Sequence, residues 1–192
     1  SDVLALFSAL DGDRAGRPAG VEEVVPAERS LLVRFDPAVA DRSRVGTWIR
    51  AALAAGPATG APAAAAGWLE IPVRYDGEDL VEVGELTALG RDGVVAAHTG
   101  QDWTVAFTGF APGFGYLVGG DPRLQVARRP APRTRVPAGA VALGGRYSGV
   151  YPRPSPGGWR IIGTTPVAMW DLDRDPPAVL RPGVRVRFVA LP

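Results

Sequence analysis

WTVAFTGFAPGFGYLV, residues 103–118, opens the region that sets the architecture of most of the chain. Trp103–Phe107 is a brief run of aromatic and β-branched residues, and a Gly/Pro-rich loop stops it. The same rhythm returns downstream, where short strands are expected at Ala140–Leu143, Arg160–Ile162, Val167–Trp170 and Val184–Val189. Many short strands separated by frequent turn signals argue for a β-barrel or sandwich.

Towards the N-terminus, Leu69–Tyr75 reads as a strand and Asp76-Gly77 as a turn. Helices are expected over Asp79–Leu89, where Leu80, Val83 and Leu86 recur, and from Asp92, carrying Val94, Val95 and His98. The Ala/Gly/Pro-rich run Ala54–Gly67 has too few large apolar residues to pack and reads as a linker. Before it lies a small α/β segment. Val3, Phe7 and Leu10 share a helical face, and Ser30–Phe35 is apolar enough for a covered strand. Asp36-Pro37 has the chemistry of a helix start, a carboxylate for free N–H groups and a ring already at helical φ. Val45, Ile49, Ala52 and Leu53 supply that helix's buried stripe, and Gly56-Pro57 ends it. The fold class is therefore α+β, with a small N-terminal α/β domain and linker over 1–66 and a β-barrel domain over 67–192.

Composition narrows the chemistry. Cysteine is absent, which removes disulfides, thiolate zinc sites and Cys nucleophiles and fits a cytoplasmic location. One His and no Cys leave no metal cluster of the usual N/S kind. No apolar run reaches the ~20 residues of a membrane span, and no charged segment followed by an apolar one suggests a signal peptide. Formal net charge is +1, too balanced to point to nucleic acid. All 21 basic residues are Arg. Eight of them fall between Pro122 and Trp170, a stretch without Asp or Glu that attracts an anion.

Three segments carry candidate chemistry. In Thr108–Tyr116, Gly109, Gly113 and Gly115 let the backbone approach a ligand, Pro112 stiffens it, and Phe110, Phe114 and Tyr116 offer flat walls. The same residues equally suit a plug for a barrel end. In Pro130–Gly139 dense prolines hold an extended path on which Arg133 and Arg135 point to opposite sides, so at most one faces a cleft. Arg is the side chain best shaped to grip a carboxylate or phosphate, though a solvated surface Arg reads the same way. In Gly149–Pro166, Gly157-Gly158 presents consecutive N–H groups, and Ser155 and Thr165 add hydroxyls. With no Lys anywhere, this is not a Walker-type loop. His98 is the only histidine, either an acid–base group or a structural one.

In order and spacing, Ile71–Leu80, His98-Thr99, Gly109–Tyr116, Pro132-Arg133, Val136–Gly139 and Gly149–Pro166 resemble the family of 5-oxoprolinase B subunits. This family was long labelled allophanate hydrolase subunit 1 and is of the carboxyltransferase subdomain C/D type. Ser30–Pro37 is similar to its N-terminal domain. The resemblance implies a cyclophilin-like barrel and a place in an ATP-dependent amide-ring hydrolase. It implies a C subunit as partner, with an A subunit completing conversion of 5-oxoproline to glutamate. ATP with Mg is implied as cofactor, carried by this subunit or its partner, with a small carboxylate/amide as substrate. His98 and Arg133 are the implied catalytic residues. The implied substrate- or nucleotide-binding residues are Phe110, Pro112, Gly113, Phe114 and Tyr116, then Tyr151, Ser155, Gly157, Gly158, Trp159 and Thr165. The family also includes a kinase inhibitor, KipI, so inhibition of a sensor histidine kinase is the alternative. Gly115, Ala140, Arg146-Tyr147-Ser148 and Thr164 depart from the family's usual residues, and the last removes a candidate anion contact, which puts the substrate in doubt.

Overall fold

The computed structural model describes residues 2–13, 15–56 and 68–192. Most of the expected linker, 57–67, lies outside the described residues. The chain divides into two compact units, 1–67 and 68–192.

In the first unit, helices α1 (Asp2–Gly12) and α2 (Arg42–Ala55) flank an antiparallel hairpin of β1 (Val21–Pro26) and β2 (Leu31–Phe35). The polar Glu22-Glu23 pair hid β1 from the sequence pattern. α2 begins later than Asp36-Pro37 suggested. The Asp36 N–H is held by the Gly20 carbonyl, and its carboxylate accepts from Ala38 N–H at 2.9 Å, so Asp36 closes a turn. Asp41 is the true cap, accepting from Arg44 N–H at 2.8 Å. The buried stripe of α2 is Val45 and Trp48, while Leu53 is 58% exposed. The Trp48 indole N–H donates to Asp13 at 3.1 Å.

The second unit is built on a seven-stranded sheet. Its strands are β3 (Leu69–Val73), β4 (Trp103–Thr108), β5 (Gly115–Val118), β7 (Ala140–Gly144), β8 (Tyr147–Val150), β10 (Arg160–Thr164) and β11 (Arg185–Ala190). They run in the order β10-β7-β8-β5-β4-β11-β3, antiparallel except for β11 beside β3. Arg74 and Thr164 exchange both main-chain hydrogen bonds at 2.8 Å, so the two edge strands meet and the barrel is nearly closed. A separate ribbon pairs β6 (Arg133–Val136) with β9 (Ser155–Gly157). Helices α3 (Leu80–Leu86) and α4 (Gly90–Thr99) follow β3. Among the described residues no helix is long and apolar enough to cross a membrane.

The structure differs from the expected strands in two places. Val167–Trp170 forms only a single bridge, Trp170 to Ala178, and Pro176, which lacks an N–H, stops that bridge from extending past Asp171. β5 and β8, rich in Gly and Tyr rather than in β-branched residues, were not anticipated, and the sheet recruits them between better strand formers.

The barrel wall is buried on both faces over much of its area. Inward residues such as Ile71, Val73, Val105, Leu117, Val141, Ile162 and Phe188 form the main core. A second cluster of Phe114, Tyr147, Tyr151, Trp159 and Ile161 covers the outer face of the wall, which explains why every residue of β7 and β8 is buried. The turn after β3 lies directly on β10: Gly77 N–H reaches the Ile162 carbonyl at 3.2 Å and Asp79 N–H the Ile161 carbonyl at 3.0 Å. A Cβ on Gly77 would overlap the main chain at Ile161–Gly163, which cannot retreat. Gly77→Ala is therefore expected to lower stability by about 1–3 kcal/mol, the usual cost of overpacking, read as a reduced denaturant midpoint.

Candidate active site

The Gly109–Gly115 loop links β4 to β5 through two tight turns. Ala111 N–H bonds the Gly109 carbonyl at 2.8 Å, a three-residue turn that holds Phe110 at φ 67°. Positive φ is rare and strained for a bulky residue, and its persistence marks a position that the surrounding structure over-determines. The ring it presents is 57% exposed. Phe114 N–H then bonds the Ala111 carbonyl at 3.0 Å, with Pro112 and Gly113 (φ 83°) at the two central positions that favour them. Phe114 is thereby turned back into the molecule.

Phe114 is the hub of an aromatic nest on the outer face of the barrel. Its ring meets Tyr116, Tyr151 and Trp159 edge to face, with centroids 5.1–5.4 Å apart, and Phe110 at 5.3 Å. Room for the Phe114 and Trp159 rings comes from β8, where Gly149 would place a Cβ about 3 Å from each. Between these rings lies a small cavity of about 80 Å³. Phe110, Phe114, Tyr116, Tyr151 and Trp159 wall it, Gly157 and Gly158 form one side, and Arg128 completes it. Burial is the main reason that the Tyr151 hydroxyl titrates above its ordinary value.

Seven of the binding residues expected from sequence thus come together, and four do not line the cavity. Pro112 is exposed on the loop, Gly113 is buried against Trp170, and Ser155 donates to the Arg153 carbonyl. Thr165 accepts from Val167 N–H and bonds the Gly139 carbonyl through its own N–H. Arg128, one of eight Arg in its stretch, was not singled out. Its guanidinium carbon lies 5.8 Å from the centre of the Trp159 ring.

The two residues expected to be catalytic sit elsewhere. Arg133 is held by Glu78 and Asp79, each at 2.8 Å. Asp79, almost wholly buried, also takes Arg129 at 2.8 Å on the same oxygen and Ile161 N–H at 2.7 Å on the other. Burial raises the Asp79 pKa, but hydrogen bonds from Arg133 and Ile161 and the Arg133 and Arg129 charges outweigh it, and the net shift is downward. Arg160 faces Glu82 and donates to the Ala127 carbonyl at 3.0 Å. Arg133 is therefore part of a structural charge cluster rather than a free anion grip.

His98 is completely buried on the opposite, inner side of the barrel wall. Nδ1 lies 2.7 Å from the Tyr75 hydroxyl and Nε2 2.8 Å from the Ser148 hydroxyl, and Phe188 stacks on the ring at 4.2 Å. With no exposed surface and both nitrogens engaged, the imidazole has nothing left to exchange with a ligand. Desolvation alone pushes its pKa down to about 3.

A family model described as the carboxyltransferase domain, subdomain C and D, matches residues 1–180. The chain belongs to this carboxyltransferase family. The 5-oxoprolinase B subunit of Bacillus subtilis is 43% identical over 126 residues, 64% of this chain and 52% of that protein. Its counterpart from Escherichia coli O157:H7 is 46% identical over 125 residues, 64% of this chain and 57% of that protein. The chain therefore spans just over half the length of these curated relatives. Among solved structures, TTHA0988 matches with a TM-score of 0.84 and 39% identity, covering 100% of this chain and 38% of that one. PH0987 from Pyrococcus horikoshii matches with a TM-score of 0.63 and 36% identity, covering 98% and 86%. The K. lactis urea amidolyase, with a TM-score of 0.72 but 18% identity over 97% of this chain and 13% of its own, shares the fold alone.

In this carboxyltransferase-family chain two internal groups make checkable demands on stability. The His98 pKa is about 3 when folded and ~6.5 when unfolded, so below pH ~6.5 the unfolded chain binds a proton that the folded chain refuses. This contribution is complete above pH ~6.5 and is lost as pH falls toward 3, at about 1.4 kcal/mol per pH unit. Urea titrations between pH 7 and 4.5 should show that slope, and His98→Gln should reduce it by about one proton; equal slopes would contradict the assignment. Asp79→Ala should cost about 3–5 kcal/mol, because it strands two guanidinium groups around an emptied, buried position. Thermal or denaturant unfolding measures that loss.

Proposed function

We propose that this chain is a subunit of an ATP-dependent amide-ring hydrolase. It acts with a C subunit to phosphorylate and so activate 5-oxoproline for conversion to glutamate. The observation that carries this reading is the cavity's lining: aromatic walls and one guanidinium, without a carboxylate or imidazole. Such a site binds and orients a small molecule, and its only hydroxyls are those of Tyr116 and Tyr151, the latter pushed by burial further from ionisation, so ring opening is left to other groups. The names of the curated relatives support the same reading, since they are subunits of a 5-oxoprolinase. Phosphorylation would help because amide resonance leaves a lactam carbonyl a poor electrophile.

ATP and Mg do not fit the aromatic cavity. The cavity is far below the ~300–1,000 Å³ of sites that engulf drug-sized ligands. There is no Lys to cradle phosphates, and among the described residues no group of three His, Asp or Glu is arranged to hold a cation. In this reading the nucleotide is held outside that cavity, on this chain or on its partner. Combining the chain with its C and A subunits should give ADP release that rises several-fold on adding 5-oxoproline and disappears when this chain is omitted. Turnover indifferent to both 5-oxoproline and urea-derived amides would overturn the proposal.

Exposed Phe110, Trp170 and Leu172 favour a second reading, a KipI-like inhibitor whose apolar surface contacts a sensor histidine kinase. Kinase autophosphorylation that is unaffected by the chain alone would dismiss it.

A further inference from the structure

The arginines of the 122–170 stretch are not equivalent once their partners are known. Arg123 is paired with Asp121, Arg129 and Arg133 with Asp79, and Arg160 with Glu82. Arg135 and Arg153 are exposed and do not line the aromatic cavity, and Arg146 lies over Tyr147. Arg128 alone among them borders the cavity, and no carboxylate of the described residues is within ion-pair distance of it. The main chain on both sides of it is pinned. The Ala127 carbonyl accepts from Arg160 at 3.0 Å, and Arg129 N–H donates to the Gly158 carbonyl at 2.7 Å.

We propose that Arg128 is the anion anchor of the aromatic pocket, and that the pocket takes a small, flat monocarboxylate. The charged end lies on the Arg128 guanidinium and the uncharged body lies against Trp159, Phe114 and Tyr151. A guanidinium matches a carboxylate through two parallel N–H···O bonds, and an unpaired one at the edge of an apolar cavity has its charge available for them. A cavity of about 80 Å³ admits a ring-sized body and little more. Inorganic phosphate is a poorer match. It has no apolar body to set against five aromatic walls, and removing its oxygens from water beside a single cation leaves most of them without donors. The choice of 5-oxoproline as probe rests on the hydrolase reading above; the role of Arg128 does not.

Calorimetric titration of the chain with 5-oxoproline, with its neutral primary amide and with inorganic phosphate tests the proposal. The acid should bind roughly tenfold or more tightly than the amide, the scale of a lost hydrogen bond to a charged group, and more tightly than phosphate. Arg128→Met keeps the packing on Trp159 and should lose the same factor for the acid while leaving the amide unchanged. Arg135→Met should alter neither. Acid and amide binding alike, phosphate binding tighter than the acid, or no detectable acid binding would each overturn the anchor, and these three comparisons need no variant to fold. Selective acid binding without 5-oxoproline-stimulated ATP turnover in the assembled complex would instead overturn the hydrolase reading and leave the anchor standing.

Discussion

One buried carboxylate organises the region around the candidate site. Both oxygens of Asp79 are used: one receives Arg129 and Arg133, the other the Ile161 main-chain N–H. Through these bonds the start of α3, the first residues of β10 and the 127–133 segment are tied to one point. Burying a charge is costly, and the cost is offset only when geometry and charge balance are both good. Here two guanidinium groups and a main-chain donor provide that balance. Arg128 and the Gly157-Gly158 pair inherit their positions from this cluster, although none of them touches Asp79.

The second organising fact is a sheet with two buried faces. Along β8 the side chains alternate strictly, as strand geometry requires. Ser148 points into the barrel and bonds His98, and Gly149 points outward and leaves room for Phe114 and Trp159. A single strand thus serves the stability core on one side and the pocket on the other. The imidazole and the aromatic nest lie on opposite sides of that wall, which separates the only histidine from the aromatic cavity.

The pocket is largely legible in the amino-acid order. Its walls come from Gly/Pro/aromatic segments whose composition is unusual in itself, and seven of the eight lining residues were among the candidates. The charged members are not legible there. Arg128, Arg129 and Arg133 look alike in a stretch of eight arginines, and what separates them is a carboxylate about fifty residues away in sequence. The surroundings of His98 are hidden for a related reason: a lone histidine on an amphipathic helix carries no mark of whether its face meets solvent or a barrel interior.

The α+β class, the short-strand barrel and the aromatic, glycine-rich material of the pocket are written in the sequence. They follow from local periodicity and turn chemistry, which neighbouring residues encode. Folding in three dimensions was needed to settle which arginine borders the pocket without a carboxylate partner, which side of the wall holds the imidazole, and that Val167–Trp170 is not a strand. The first two outcomes depend on partners distant in the chain: Asp79 for the arginines, and Tyr75 and Ser148 for the histidine.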